Sequence, residues 1–244
     1  MLRVEGVTKS FSGFRALSEV NFRVEPGQVT AVIGPNGAGK TTLFNVLTGH
    51  LKPDSGRILF QNTDIAGRRP HQIFRRGIAR SFQLTNVFSR LTVLENVQVA
   101  LLAREGKSGS VSREPGRECA ARAQELLARV GLGGWAGEPA GKLSYGDQKL
   151  LEITMALAGR PQLLLLDEPT AGMSPEETAA TAGLIRQLAE EGVTVLFTEH
   201  DVDLVFGLAA KIVVLHQGCC IAQGTPGEVR GDRTVQKAYL GEES

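Results

Sequence analysis

The stretch VTAVIGPNGAGKTT, which runs from Val29 to Thr42, decides the fold of this chain. Its first five residues are apolar except for Thr30, as in a strand buried inside a parallel sheet. Residues 34–41 then match the pattern G-x-x-x-x-G-K-[ST] in full, and apolar residues at helical spacing follow until Gly49. Strand, glycine-rich turn and helix in this order predict a phosphate-binding loop. The alternative is a glycine-rich β-turn without a ligand.

The residue types in this stretch suit the phosphates of a nucleotide. Glycines let backbone N–H groups turn toward phosphate oxygens, and the start of the helix adds the positive end of its dipole. Lys40 is expected to approach the β and γ phosphates, while the Thr41 hydroxyl binds Mg²⁺. The residues predicted to contact the nucleotide here are Gly34, Pro35, Asn36, Gly37, Ala38, Gly39, Lys40, Thr41 and Thr42.

Acidic residues and a histidine follow two further apolar strands. The run 163–166 ends at Asp167, which is expected to coordinate Mg²⁺ directly or through water, because ligands of open α/β sheets bind at the carboxyl ends of strands. Glu168 is then placed to orient or deprotonate the attacking water, with a salt-bridge or helix-terminus carboxylate as the alternative. His200 follows the strand 193–197 and could hold that water near the γ-phosphate, with a structural role as an equal alternative.

The composition limits the classes of protein to consider. The 244 residues are 42% apolar and 22% charged, which indicates a globular chain with a full core. A net charge of +1 and only 5% aromatic residues argue against a nucleic-acid-binding protein. Cys119, Cys219 and Cys220 form neither a disulfide framework nor a metal-type spacing, so we expect a reducing, cytoplasmic setting. No stretch has the ~20 apolar residues of a membrane span, and we expect no signal peptide.

The order of the elements predicts an α/β fold. Strand and helix patterns alternate in the first 60 residues and again after Pro161, which implies parallel βαβ units. Residues 92–158 show helical spacing instead and are interpreted as an insertion into the α/β core, with a polar loop at 105–117. Ser174 is predicted to cap a helix that reaches Glu190.

The segment LSYGDQ, residues 143–148, resembles the LSGGQ signature of ABC-type ATPases and lies between the phosphate loop and Asp167, as in that family. The other matches are Gln83 with the Q-loop glutamine, residues 168–173 with the Walker B-to-D-loop passage, His200 with the switch histidine, and Phe11 with the aromatic residue that stacks on adenine. Three places depart from the pattern. Tyr145 stands in place of a glycine, Asp147-Gln148 stands in place of Gln-Gln or Gln-Arg, and Ser174 stands in place of the usual D-loop aspartate.

This resemblance implies a head-to-tail dimer of two such subunits with ATP and Mg²⁺ held between them. The implied catalytic residues are Glu168, His200, Gln83 and Lys40. The implied Mg²⁺ ligands are Thr41, Gln83 and Asp167. The implied contacts with the ATP of the other subunit are Ser144, Tyr145, Gly146 and Asp147.

The resemblance also implies an internal organisation for a single ABC ATPase domain, 1–244. It comprises a P-loop (RecA-like) nucleotide-binding α/β core with an N-terminal antiparallel β subdomain, and an inserted α-helical subdomain that carries the signature. The expected boundaries are 1–83 and 160–225 for the core with its β subdomain, 84–159 for the helical subdomain and 226–244 for a C-terminal tail.

A finer resemblance links the chain to the larger type of ATPase in branched-chain amino-acid importers. The matching segments are residues 77–88, 91–96, 143–153, 171–178, 198–218 and 235–243. This implies an ATPase that closes its dimer on ATP and opens it on hydrolysis, and that acts peripherally at the cytoplasmic face of the inner or plasma membrane. The implied partners are a homologous second ATPase or a second copy of this chain, integral permease subunits and, indirectly, a solute-binding protein, but no nucleic acid.

Four alternatives to that function remain open. The pattern is shared by ATPases of urea or amide importers and of lipopolysaccharide export. A soluble ABC ATPase outside transport would be expected to carry long insertions or a second cassette. A P-loop kinase would give no reason for LSYGDQ at 143–148.

Several surface features have two interpretations each. The five arginines of residues 65–80 form either a solvated face or a face near the membrane or permease. Val87, Phe88 and Leu91 belong either to the core or, by the resemblance, to a groove for a cytoplasmic helix of the membrane subunit. Trp135 is expected to pack in the core or between subdomains, and the adjacent cysteines 219 and 220 are expected in a turn after a strand.

Overall fold

A computed structural model describes residues 1–81, 87–104 and 116–240, excluding the side chains of residues 239 and 240. The strands are β1 (Leu2–Phe11), β2 (Phe14–Val24), β3 (Val29–Ile33), β4 (Ser55–Phe60), β5 (Thr63–Asp64), β6 (Ile78–Ser81), β7 (Leu163–Asp167), β8 (Thr194–Thr198), β9 (Lys211–His216) and β10 (Cys219–Gly224). The α-helices are α1 (Lys40–Leu47), α2 (Pro70–Arg75), α3 (Val93–Arg104), α4 (Arg117–Arg129), α5 (Tyr145–Ala158), α6 (Pro175–Glu190), α7 (Val202–Leu208), α8 (Pro226–Gly231) and α9 (Arg233–Leu240).

A six-stranded sheet forms the centre of the fold, with the order β10-β9-β3-β8-β7-β6. The strands from β9 to β6 run parallel, and β10 joins β9 antiparallel. Every residue of β3, β7 and β8 is buried, as expected for parallel strands covered on both faces. Because these strands end at one edge, the loop after Ile33 and the ends of β7 and β8 lie together, and Asp167 pairs with Thr198 in register.

The two faces of this sheet are covered differently. One face packs against α5, α6 and α7 in a core that includes Ile153, Ile185 and Val205. The other face packs against α1 and a four-stranded antiparallel sheet with the order β2-β1-β4-β5. The described architecture is therefore the predicted P-loop core with an antiparallel β subdomain.

The helices between β6 and β7 have a core of their own. α3, α4 and α5 pack around Val97, Leu127 and Leu151, all fully buried. This confirms the predicted insertion of a helical unit, while the domain boundaries given above stay a prediction. Most of the predicted polar loop, residues 105–115, lies outside the described residues.

Three expectations were wrong. Cys219 and Cys220 begin the edge strand β10 instead of lying in a turn. Trp135 is 43% exposed instead of interior. Arg80, counted with the exposed arginines of residues 65–80, is turned into the core, where it pairs with Asp167. Within the described part of the chain, no helix combines the length and apolar character needed to cross a membrane.

Candidate functional site

The phosphate loop lies between β3 and α1, where the sequence predicted it. Gly37 and Gly39 have φ angles of 80° and 103°, in the left-handed region that favours glycine. A Cβ atom at Gly39 would lie 2.6 Å from the carbonyl oxygen of Ala16 in β2, so the position also demands glycine for space. The turn between β9 and β10 stabilises the loop through a hydrogen bond, in which the N–H of Gly218 donates to the carbonyl of Ala38 at 3.0 Å.

Lys40 is folded over its own loop. Its ammonium donates to the carbonyl oxygen of Gly34 at 2.6 Å and to that of Pro35 at 3.2 Å. Burial lowers the pKa of Lys40 from its ordinary value, and the negative charges of Glu168 and Asp167 oppose part of that shift. The side chain therefore brings a positive charge to the loop while two carboxylates stand nearby.

Asp167 lies at the carboxyl end of β7 and is 2% exposed. Its Oδ1 accepts a hydrogen bond from the Thr198 hydroxyl at 2.7 Å, and its Oδ2 accepts one from Arg80 at 2.8 Å. Arg80 also donates to Asn45 of α1 at 2.7 Å. The carboxylate is thus held in one orientation by groups from β6 and β8, which the sequence analysis did not predict.

Glu168 and His200, predicted from two different strand ends, are in contact. The Nε2 atom of His200 lies 2.9 Å from Oε1 of Glu168, and both side chains are partly open to solvent. Glu168 has a φ of 49°, in the left-handed region where residues other than glycine are uncommon. Its N–H donates to the backbone carbonyl and to the hydroxyl of Thr198, at 3.1 Å each.

A buried acid missed by the sequence analysis, Glu199, lies next to His200 in the chain and bonds to the turn after Glu168. Glu199 is 5% exposed and accepts three hydrogen bonds. The N–H and hydroxyl of Thr170 donate to its Oε1 at 2.9 and 2.7 Å, and the N–H of His200 donates to its Oε2 at 3.1 Å. The signal was present, because a glutamate directly after a buried strand and before His200 needs partners.

The signature segment builds a second helix start. Ser144 caps α5, since its Oγ accepts the N–H of Asp147 at 3.1 Å and donates to the Asp147 carboxylate at 2.8 Å. Gly146 lies against the Glu177 carboxylate, where a Cβ atom would clash. Tyr145 is 46% exposed. The phosphate loop precedes α1 and this segment precedes α5, so one chain presents two separate helix starts.

Of the two other residues predicted to act on the nucleotide, the structure describes only Phe11. Phe11 lies at the end of β1, 41% exposed, next to the strand that contacts Gly39. Gln83 lies outside the described residues. The structure therefore brings together Lys40, Asp167, Glu168 and His200, with Thr41 in the first turn of α1.

The donor atoms at this edge fit a hard divalent cation. The Thr41 hydroxyl and the Asp167 carboxylate supply oxygen, which is the ligand type that Mg²⁺ prefers. Both oxygens of Asp167 already accept hydrogen bonds from protein groups, which suits coordination through water better than a direct bond. Thr41 and Asp167 could therefore hold Mg²⁺ beside bound phosphates.

Comparisons with known proteins agree with this geometry. The pattern of the ABC transporter family matches residues 17–171, and that of the branched-chain amino acid ATP-binding cassette transporter matches residues 219–244. The chain is 43% identical to the high-affinity branched-chain amino acid transport ATP-binding protein BraF of Pseudomonas aeruginosa, over 99% of this chain and 98% of that protein.

Solved structures show the same architecture. A nucleotide-free ATP-binding cassette from an ABC transporter has a TM-score of 0.88 and 35% identity, and 99% of each chain is covered. A dimeric post-hydrolysis ATP-binding cassette, MJ0796 bound to ADP and Pi, has a TM-score of 0.81 and 27% identity, over 93% of this chain and 99% of that one.

Proposed function

The chain belongs to the ATP-binding cassette family of ABC transporters, and on that premise we propose that it hydrolyses ATP to power an importer of branched-chain amino acids. ATP binding and ATPase activity follow from the family. The observation that carries the catalytic part of the proposal is the contact of Glu168 with His200, next to Lys40 and Asp167 at one edge of the sheet.

Each residue of this cluster has a proposed role. Lys40 and the N–H groups of the phosphate loop bind the β and γ phosphates, which Lys40 can reach by leaving the carbonyls of Gly34 and Pro35. Mg²⁺, held by Thr41 and Asp167 and with Gln83 as a further proposed ligand, would neutralise charge on the phosphates when bound. Phe11 is proposed to stack on the adenine.

Glu168 is proposed to accept the proton of the attacking water. Its carboxylate is close enough to His200 for a direct hydrogen bond, which fixes its direction. His200 in turn would hold the γ-phosphate and the water in line, with Gln83 as a third member of the catalytic set. The arrangement gives positioning together with charge stabilisation, which are the main contributions in phosphoryl transfer.

We further propose that Ser144, Tyr145, Gly146 and Asp147 act on the ATP of a partner subunit. This is supported by the helix start at Ser144, which offers N–H groups to an anion, and by the dimeric arrangement of the related cassette MJ0796. The partner would be a second copy of this chain or a homologous ATPase. Dimer closure on ATP and opening after hydrolysis would then drive membrane-embedded permease subunits.

The proposed cargo and place of work rest on the relatives. BraF is named a branched-chain amino acid transport protein, and the C-terminal match at 219–244 carries the same description. The chain would therefore work peripherally at the cytoplasmic face of the membrane, with a solute-binding protein on the opposite side delivering leucine, isoleucine or valine.

Transport in proteoliposomes tests this proposal. The chain is reconstituted with permease subunits, a homologous partner ATPase and a binding protein of a branched-chain amino-acid importer. Uptake of labelled leucine, of valine and, as a competing cargo, of urea is then measured. We expect ATP-dependent uptake of leucine and valine but not urea. The variant Glu168→Gln should reduce uptake and ATP turnover to background. Uptake of urea alone, or wild-type turnover by Glu168→Gln, would contradict the proposed cargo or the proposed base, respectively.

A further inference from the structure

Residues 198–200, at the end of β8, form hydrogen bonds with the end of β7 and the turn after it. Thr198 bonds to Asp167 and to the N–H of Glu168, Glu199 bonds to Thr170, and His200 bonds to the side chain of Glu168. The turn that carries Glu168 is thus bonded at Asp167, before Glu168, and at Thr170, after it. Glu199 and Thr170 are both buried, so their contact is shielded from solvent.

The turn needs these contacts because Glu168 has an unfavourable backbone conformation. Glu168 adopts a φ of 49°, which costs a residue with a Cβ atom roughly 1 kcal/mol or more relative to an ordinary conformation. A strained conformation persists only where the surrounding structure fixes it. Two residues beyond Glu168, both donors of Thr170 end on one carboxylate oxygen of Glu199.

We infer that Glu199 is a positioning residue for hydrolysis, which holds Glu168 and His200 in register through Thr170 and through the backbone of His200. Its Oε1 fixes the turn after Glu168, and its Oε2 fixes the N–H of His200. One buried side chain therefore ties together the two loops that carry the proposed base and its histidine partner. This inference rests on the proposed function of Glu168.

The chemistry of the site explains why the residue is an acid. All three groups that face Glu199 are donors, so a carboxylate can accept every bond while an amide would turn its NH₂ group toward a donor. Bonds from N–H and O–H groups to a charged acceptor are also stronger than those between neutral groups. The three bonds compensate the burial of the charge.

Variants of Glu199 and Thr170 test the inference with a matched design. Glu199→Gln keeps the shape but loses one acceptor, and Thr170→Val removes the hydroxyl while Thr170→Ser retains it. We expect kcat for ATP hydrolysis to fall roughly 10- to 100-fold in Glu199→Gln and Thr170→Val. We expect Thr170→Ser to stay near wild type, and the affinity for a fluorescent ATP analogue to change little in all three.

A stability control separates positioning from a general loss of folding. Thr225→Ala removes the N-cap of the distant helix α8, so it should lower Tm but leave kcat unchanged at a temperature where the protein is folded. If Thr225→Ala lowers Tm as much as Glu199→Gln does and also lowers kcat by the same factor, the loss of activity reflects stability alone and the inference is overturned.

Hydrogen exchange supplies a measurement that does not depend on the role of Glu168. Peptides covering residues 167–173 should exchange faster in Glu199→Gln than in the wild type, whereas peptides covering the phosphate loop should not. If Glu168→Gln loses turnover while Glu199→Gln keeps wild-type kcat and exchange, Glu199 has no positioning role although the proposed function stands. If Glu168→Gln keeps turnover, the proposed base is wrong. In that case the exchange rate of peptides 167–173 still tests Glu199, because an unchanged rate in Glu199→Gln would overturn the inference.

Discussion

The ion pair between Arg80 and Asp167 joins three elements through one buried guanidinium. The two side chains are 5% and 3% exposed, and the guanidinium also bonds to Asn45 and lies 5.6 Å from the centre of the Phe44 ring. Water cannot replace either partner at such burial, so the pair keeps its orientation only while both charges are present. The orientation of Asp167, a proposed Mg²⁺ ligand, therefore depends on Arg80 of β6 as well as on Thr198 of β8.

Removal of Arg80 should be costly for that reason. We expect Arg80→Gln to lower the free energy of unfolding by about 3 kcal/mol, because it leaves the Asp167 carboxylate buried without its cation. Arg80→Lys should retain only part of the free energy of unfolding that Arg80→Gln loses. An ammonium cannot reproduce the planar guanidinium that reaches both Asp167 and Asn45. Urea titrations followed by circular dichroism measure both changes.

A double variant checks the cause of that loss. In an Asp167→Asn background the buried Arg80 guanidinium has lost its counter-ion, and Arg80→Gln removes that unpaired charge, so Arg80→Gln should cost clearly less there than in the wild type. An equal cost in both backgrounds would mean that packing against Phe44 and Asn45, rather than the ion pair, explains the effect of Arg80.

Among single residues, the sequence predicted those that neighbouring residues along the chain make recognisable. Lys40 sits in a complete motif, and Asp167 ends an apolar strand, so neighbours along the chain were sufficient. Arg80 and Glu199 were missed because their partners come from other strands, and only the register of β6, β7 and β8 brings them into contact. The roles proposed for the site residues stay predictions.

Among the elements, the buried strands and the capped helix α6 were predicted well. β3, β7 and β8 are mostly apolar, and α6 begins with Ser174 and Pro175, both strong start signals. β6 and β10 were missed because each lies at an edge of the sheet and mixes polar with apolar residues. Edge strands have one free side, so they need no continuous apolar run.

The start of α6 yields a prediction that also explains a departure from the family pattern. Ser174 and Glu177 form a reciprocal capping box. Serine and aspartate are N-caps of similar strength, so the aspartate usual at this position can be replaced without loss of the helix. We expect Ser174→Ala to lower the free energy of unfolding by about 1 kcal/mol and Ser174→Asp to change it by less than about 0.5 kcal/mol.

Urea titration of both variants, with Thr225→Ala as a cap removal of the same type on α8, measures that difference. Ser174→Asp should keep the wild-type midpoint, while the two alanine variants should shift it by similar amounts. A large loss in Ser174→Asp would show that the position tolerates serine for a reason other than capping.

For the whole molecule, one chain presents the two segments proposed to bind ATP at the starts of different helices. The phosphate loop lies at the edge of the parallel sheet, and the start of α5 lies on the helical unit. Each is a helix start, which offers N–H groups to an anion. A second copy in head-to-tail orientation would place one against the other, as the dimeric related cassette suggests.

This arrangement predicts a dimer that depends on ATP and on the start of α5. We expect Glu168→Gln to be monomeric without nucleotide and dimeric with ATP and Mg²⁺, because blocked hydrolysis keeps the nucleotide between the subunits. Adding Ser144→Asp should abolish the dimer, since an acid there still caps α5 but places a negative charge against the γ-phosphate. Ser144→Asn, a neutral cap of similar strength, should keep most of it. Size-exclusion chromatography with light scattering measures the mass in each case, and an ATP-dependent dimer that survives Ser144→Asp would show that the signature segment of this chain does not face the nucleotide.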